Sequence, residues 1–350
     1  MAGHWQFLVL AFLPGVSLST FPLCPPDVPC CSDTDTELEE VTDIKYGEAD
    51  FLNATQELYL DLYRPLNFSA PHPVVVNVHG GSFSPQSSKS DWWIVAESRR
   101  WARRGFLVAA IEYRRHGDSG EAGPRTLIDP AHDTLAAVRY LVNNSIIYGV
   151  DVHNIALYGC SAGGITVAIA NILDLGEGNS GTPGVNANVS VTFALSGGIY
   201  GDLSEVPDIG PKAPEDIAPY IAVHNAADPL VPYAYANATA NLLNMLGVQN
   251  ELVTLDGDGH CEDPVSLVGE SNAILFDDIV GFMLSHMTVR HCRLMPQSSN
   301  STSGPTTSTA DVETTEAYVA PLVGAARSRT PFTVGALSAF YALRNSLAVR

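Results

Sequence analysis

The stretch Gly159-Cys160-Ser161-Ala162-Gly163-Gly164 decides the fold, because it joins a strand-like run to a helix-like run through a turn of small residues. Asn154–Tyr158, directly ahead of it, is typical of a buried strand, and Ala162–Leu175 has the pattern of a helix. Small residues on both sides of Ser161 allow a sharp turn that leaves its hydroxyl exposed. The N-terminus of the helix offers backbone N–H groups to developing negative charge. The stretch therefore predicts a nucleophilic serine between a strand and a helix.

Strand-like and helix-like runs alternate on both sides of this stretch, from about residue 38 to residue 292. The predicted strands are Leu58–Tyr63, Pro73–Val78, Phe106–Tyr113, Asn154–Tyr158, Val189–Leu195, Tyr220–His224 and Glu251–Leu255. The predicted helices are Ala131–Asn143, Ala162–Leu175, Tyr233–Leu246 and Ser266–His286. This order predicts an α/β domain over residues 38–292, with a mostly parallel central sheet and helices on both faces. Active sites of such sheets lie at the carboxyl ends of the strands.

A second glycine-rich stretch, His79-Gly80-Gly81-Ser82-Phe83, follows the predicted strand Pro73–Val78. A glycine pair at that position allows a loop whose amides point into the site. The N–H groups of Gly80 and Gly81, together with that of Ala162, would form an oxyanion hole. Taken alone, the stretch is equally typical of an ordinary glycine turn after a strand.

Two further residues complete a catalytic set. Asp228 and His260 each come just after a predicted strand, and the chain order Ser161, Asp228, His260 is the order of an α/β-hydrolase triad. In such a triad His260 takes the serine proton and returns it to the leaving group, while Asp228 fixes the imidazole tautomer. Asp256 and Asp258 are rival acids by composition, although they lie on the same loop as the histidine.

With these residues in place, the stretch from about Leu58 to His286 resembles the α/β-hydrolase superfamily. It is most similar to the esterase/lipase branch that carries an HGG oxyanion motif and a GxSAGG elbow. The resemblance implies hydrolysis of a carboxylic ester through an acyl-enzyme intermediate, with no cofactor and no metal. The implied substrate is a small-molecule or sugar-linked ester.

Two other functions fit parts of the pattern. A non-catalytic adhesion or binding module can be built on the same fold, but such proteins usually lack a triad residue. A kynurenine formamidase-like amidase shares the motifs, but it would normally be intracellular. Neither reading accounts for both the complete triad and the secretory features described below.

The cysteines carry a finer resemblance. Cys160 precedes Ser161 and Cys261 follows His260, which is similar to the CS–D–HC arrangement of tannases and some feruloyl esterases. The resemblance implies a disulfide between Cys160 and Cys261. Those enzymes carry a large lid insertion between serine and aspartate; here only residues 162–227 intervene, so no large lid domain is expected.

The remaining cysteines, Cys24, Cys30, Cys31 and Cys292, allow three pairings. A bridge between the adjacent Cys30 and Cys31 would be strained. This favours one bond from the N-terminal arm to Cys292. The cysteines lack the paired spacing of a zinc site.

The two ends of the chain predict a secretory route. Residues 1–19 resemble a signal peptide, with an apolar stretch at Phe7–Leu18, although no Lys or Arg precedes it. Residues 20–37 form a Cys/Pro-rich arm, residues 293–330 a Ser/Thr-rich disordered stalk, and residues 331–350 a weakly apolar tail. A stalk and short tail are also compatible with a lipid-anchor signal, although two arginines near the end fit that poorly.

Glycosylation sequons and net charge narrow the expected location and binding partners of the protein. Six N-x-Ser/Thr sequons favour an extracellular or cell-surface glycoprotein, at Asn53, Asn67, Asn143, Asn188, Asn237 and Asn300. The formal charge of -20 disfavours nucleic acid and anionic membrane surfaces as partners. Neither apolar terminal stretch is long enough to be an integral membrane span.

Overall fold

The computed structural model describes residues 36–51, 54–116, 123–199, 209–261 and 270–288, with side chains of the last segment from residue 276 onward. The described residues contain eight strands: β1 (Leu38–Phe51), β2 (Ala54–Pro65), β3 (His72–Val78), β4 (Leu107–Ile111), β5 (Val150–Cys160), β6 (Val191–Leu195), β7 (Tyr220–Asn225) and β8 (Asn250–Leu255). They form one sheet in the order β1-β2-β4-β3-β5-β6-β7-β8.

The sheet is mostly parallel, which confirms the predicted fold class. β1 and β2 are antiparallel to each other, β2 is antiparallel to β4, and the other five neighbouring pairs are parallel. Every residue of β3, β4, β6 and β7 is buried. Strands covered on both faces read as continuous apolar runs, which is why these strands could be recognised in the sequence.

Helices cover both faces of the sheet. They are α1 (Trp92–Arg103), α2 (Arg125–Asn143), α3 (Ser145–Tyr148), α4 (Ala162–Ile172), α5 (Tyr233–Leu246) and α6 (Glu270–Ser285). One apolar core packs α2, α4 and α5 against the sheet, through side chains such as Leu135, Val167 and Leu243. A second core on the other face packs α1 and α6, through Trp101 and Phe276. No helix in the part of the chain described here is long and apolar enough to cross a bilayer.

The structure differs from the sequence predictions at several elements, and among them helix α1 was not predicted. The edge strand β1 was not predicted, because it is largely polar and mostly exposed or half-buried, so it lacks an apolar run. Helix α2 begins at Arg125, six residues before the predicted start at Ala131, and contains Pro130 within it. Proline normally marks the first turn of a helix or its boundary, so the pattern placed the start too late. Helix α4 also ends at Ile172, before the predicted Leu175.

Candidate active site

Ser161 lies on a sharp turn between β5 and α4. Its φ is 56° and its ψ is -121°, a conformation that non-glycine residues rarely adopt. The turn is possible because its neighbours are small. A side chain at Gly163 would place its Cβ 1.9 Å from the carbonyl oxygen of Val78. The elbow therefore presses the start of α4 against the end of β3, and glycine is required for that approach.

A continuous chain of hydrogen bonds joins Ser161, His260 and Asp228. The Ser161 Oγ lies 2.9 Å from His260 Nε2. His260 Nδ1 lies 2.8 Å from Asp228 Oδ2 and 3.0 Å from Oδ1. The Asp228 side chain is fully buried, whereas that of His260 keeps 17% of its surface exposed. The three residues come from the ends of β5, β7 and β8, which share the carboxyl edge of the sheet.

The surroundings of Asp228 keep it ionised. Burial raises the pKa of this carboxyl, but hydrogen bonds from His260 and from the backbone N–H groups of Leu230 and Val231 outweigh it, so the pKa is lowered from 3.8. An ionised carboxylate can only accept a hydrogen bond, so the Nδ1 of His260 must carry the proton. This leaves Nε2 with the lone pair that can accept the Ser161 proton.

The rival acids lie elsewhere on the histidine loop. The side chains of Asp256 and Asp258 are exposed. The side chain bonded to His260 is that of Asp228. Both rivals are therefore poorly placed to orient a half-buried imidazole.

The predicted oxyanion loop lies directly against Ser161. A Cβ at Gly80 would meet the carbonyl oxygen of Cys160 at 2.8 Å and the Cβ of Ser161 at 3.2 Å, so a side chain cannot be accommodated there. Gly81 has a φ of 101°, which disfavours any other residue. Ala162 is the first residue of α4, and the N–H groups of a first helical turn have no partner within the helix.

Two residues that were not predicted from the sequence, Tyr113 and Glu112, support this loop. Tyr113 donates a hydrogen bond to the carbonyl oxygen of His79, at 2.8 Å. Glu112 accepts one from the Ser88 hydroxyl, at 2.7 Å, and lies 3.2 Å from the Arg115 guanidinium. Burial opposes ionisation of Glu112, but the adjacent His79 ring and Arg115 lower its pKa to about 2. The sequence signal for both was their place at the carboxyl end of the predicted strand Phe106–Tyr113.

A disulfide joins Cys160 to Cys261, with their Cα atoms 5.9 Å apart. It therefore links the residue before Ser161 to the residue after His260. The sequence separation is 101 residues, so the bond closes a long loop. Cys24, Cys30, Cys31 and Cys292 lie outside the described residues, as do the predicted signal peptide, stalk and tail and residues 20–35 of the predicted arm.

Replacing both Cys160 and Cys261 with alanine should reduce kcat by up to about a hundredfold, because about 1 Å of misplacement between reacting groups can cost that much. The chain-entropy model assigns such a loop about 4.7 kcal/mol, but the two apolar cores remain, so the variant should still fold. Steady-state kinetics and thermal unfolding measure the two effects separately. Wild-type protein denatured, reduced and refolded without an oxidant serves as the control. A folded double variant with wild-type kcat would show that the bond does not hold the catalytic loops.

Family models and sequence relatives both match this chain. The BD-FAE family model matches residues 60–195, and the Phospholipase/Carboxylesterase model matches residues 129–272. A probable isoprenylcysteine alpha-carbonyl methylesterase from Oryza sativa subsp. japonica is 26% identical over 284 residues, covering 68% of this chain and 64% of the relative. The isoprenylcysteine alpha-carbonyl methylesterase of Arabidopsis thaliana is 28% identical over 271 residues, covering 63% and 58%. The chain thus spans less than two thirds of the length of these relatives.

Solved structures agree on the fold. An esterase from Thermogutta terrifontis with butyrate bound superimposes with a TM-score of 0.54 at 19% identity, covering 76% of this chain and 98% of that one. A truncated carbohydrate esterase from gut microbiota gives 0.53 at 19% identity, covering 72% and 98%. With its mostly parallel eight-stranded sheet, its elbow at Ser161 and these matches, the chain has an α/β-hydrolase fold, and the relatives it resembles are esterases.

Proposed function

We propose that this protein is a serine esterase that hydrolyses carboxylic esters through an acyl-enzyme intermediate. The observation that carries the proposal is the unbroken hydrogen-bond chain from Ser161 through His260 to Asp228. A binding module would have no need to keep all three groups within hydrogen-bond distance of one another. The family-model match to carboxylesterases and the esterase relatives support the same reaction class.

The mechanism follows from these positions. His260 Nε2 accepts the Ser161 proton as the serine oxygen attacks the ester carbonyl, and the backbone N–H groups of Gly80, Gly81 and Ala162 stabilise the oxyanion. The imidazolium then protonates the departing alcohol, which leaves the acyl group on Ser161. In the second half a water molecule gives a proton to His260 and attacks the acyl carbon, and His260 then returns the proton to the Ser161 Oγ as the bond to Ser161 breaks and the carboxylic acid is released.

The proposed substrates are small-molecule or sugar-linked esters with short acyl groups. Only residues 162–227 separate Ser161 from Asp228, which leaves no room for a large lid domain. The structural relatives include an esterase with butyrate bound and a carbohydrate esterase, and the sequence relatives are named for a methyl ester. Butyrate is a short acyl group, whereas a prenylcysteine methyl ester combines a large acyl part with a small alcohol, so the short-acyl proposal rests on the butyrate-bound esterase and on the short insertion.

A panel of p-nitrophenyl esters of graded acyl length should show the highest kcat/KM for acetate to butyrate, because the short insertion between Ser161 and Asp228 is expected to leave an open cleft that offers little surface to a long acyl chain. Acetylated sugars vary the alcohol, feruloylated sugars and a prenylcysteine methyl ester also test large acyl groups, and N-formylkynurenine tests the amidase alternative. Fluorophosphonate labelling of Ser161 gives an assay that does not depend on guessing the substrate. Folded protein that neither hydrolyses any of these esters nor reacts with the probe would support a binding module instead.

We further propose that the protein is a secreted glycoprotein. The sequon residues Asn67, Asn143, Asn188 and Asn237 are all exposed, and the first three lie in the segments that precede β3, β5 and β6. Those segments lie at the amino edge of the parallel strands, so glycans there would leave the catalytic edge uncovered. Asn53 and Asn300 are outside the described residues. A mass decrease on peptide N-glycosidase treatment of protein from culture medium would test the proposal, and an unchanged mass would contradict it.

The disulfide is consistent with secretion. Cys160–Cys261 is formed between two loops of one domain. Structural disulfides persist in oxidising compartments and are rare in the cytosol. A lipid anchor at residues 331–350 has no support from the described part of the chain.

A further inference from the structure

The residue after β6 lies where the three catalytic loops meet. β6 is the strand between β5 and β7 in the sheet, and it ends at Leu195. The next residue, Ser196, is fully buried and has a φ of 46°. The left-handed backbone region is disfavoured for serine, so this conformation needs a compensating contact.

Three hydrogen bonds connect this point to the active-site loops. The Leu195 carbonyl oxygen accepts the N–H of Ser161 at 3.0 Å, and the N–H of Ser196 donates to the carbonyl oxygen of Val223 on β7 at 2.8 Å. The Ser196 hydroxyl accepts the N–H of Cys261 at 3.0 Å. The end of β6 therefore contacts the nucleophile, the strand that leads to Asp228, and the residue that follows the histidine.

We propose that Ser196 is a positioning residue that holds His260 in register with Ser161 by binding the backbone N–H of Cys261. This inference rests on the proposed esterase function. The disulfide restrains the side chain of Cys261 and Ser196 restrains its backbone. A single restraint would let the peptide group of Cys261 rotate about its point of attachment. Two restraints fix the orientation of that peptide group, and with it the orientation of the His260 ring.

The hydroxyl has no simple substitute at this position. Cys261 has a φ of 51°, so its own backbone is in an uncommon conformation that needs outside support. Removing the Ser196 hydroxyl leaves the Cys261 N–H without its acceptor, and a half-buried donor without a partner favours rearrangement of the loop. The 2.9 Å contact between His260 Nε2 and Ser161 Oγ would then lengthen or lose its alignment.

The test uses Ser196→Ala and Ser196→Gly. Alanine removes the hydroxyl and keeps the side-chain Cβ; glycine removes both but adopts the positive φ without strain, so it preserves folding if alanine does not. Both variants should lower kcat about tenfold with KM within about twofold of wild type, since a misplaced base weakens the chemical step and not ground-state binding. Thermal unfolding is measured alongside.

Thr192→Val is the matched control. Thr192 lies on β6, which ends just before Ser196, and is fully buried, and its hydroxyl has no hydrogen-bond partner among the described residues. Valine has nearly the same shape, so this variant removes a buried β6 hydroxyl that does not contact the histidine loop. It should keep wild-type kcat and KM.

Combining Ser196→Gly with the Cys160→Ala and Cys261→Ala pair tests the two-restraint model. The loss of kcat in the triple variant should fall short of the product of the separate losses, because removal of either restraint already frees the Cys261 peptide to turn. Folded Ser196 variants with wild-type kcat, or losses of kcat that Thr192→Val matches, would overturn the inference. The proposed function fails separately, if wild-type protein is inactive or if Ser161→Ala keeps its activity.

Discussion

Replacing Ser161 with alanine should lower kcat for ester hydrolysis by about four to six orders of magnitude, because the nucleophile acts as a unit with its base and acid. The residual rate comes from substrate binding and the oxyanion hole. Alanine keeps the Cβ that the turn already accommodates at a φ of 56°, so the free energy of unfolding should change little. Covalent labelling by a fluorophosphonate should disappear with the activity.

The comparison needs a serine outside the triad. Ser90 is exposed and lies between the oxyanion loop and α1, so Ser90→Ala should hydrolyse and label at the wild-type rate. Steady-state kinetics and probe labelling at equal protein concentration measure both variants. A Ser161→Ala protein that kept more than about a tenth of wild-type activity would require another nucleophile.

Replacing Asp228 with asparagine should lower kcat by about 10⁴-fold, because it favours the wrong histidine tautomer. Asp228 Oδ1 accepts the N–H groups of Leu230 and Val231, so an amide oxygen at residue 228 would take that position. The amide NH₂ would then replace Oδ2, which lies 2.8 Å from His260 Nδ1. Nδ1 would have to accept and Nε2 would carry the proton, so His260 could no longer take the proton of Ser161.

Asp258→Asn is the control for this change. Asp258 is an exposed carboxylate close to His260 in sequence, so its loss alters the local charge without touching the imidazole. Its kcat should stay within about twofold of wild type. If Asp258→Asn or Asp256→Asn caused the large loss and Asp228→Asn did not, the acid of the triad would be wrongly assigned.

Asp228 also predicts a pH dependence of stability. Its pKa in the folded protein is lowered below 3.8, so the stabilisation is present above the unfolded-state pKa of about 3.9 and is lost as the pH falls through the folded pKa. Asp228→Asn removes this group. Chemical denaturation at several pH values should therefore show a smaller loss of stability in acid for the variant than for wild type, after the change at neutral pH is subtracted.

The sequence by itself determined the parts of this protein that depend on local chemistry. Continuous apolar runs marked β3, β6 and β7 because these strands are buried on both faces, and the small residues around Ser161 marked the elbow because only they permit so tight a turn. Chain order and position after strands selected Asp228 and His260. The edge strand β1 could not be predicted, because a polar, exposed strand at the edge of a sheet has no apolar pattern.

Only the tertiary structure decided which of these elements lie side by side. It brought Asp228, and neither Asp256 nor Asp258, against His260, and it placed Ser196 beneath Cys261. It also brought Glu112 and Tyr113 beneath the oxyanion loop. These contacts depend on β6 lying between β5 and β7, and on β4 lying beside β3. The physical reason is that strand order follows from packing of the whole sheet, and such long-range contacts leave no local periodicity or composition in the chain.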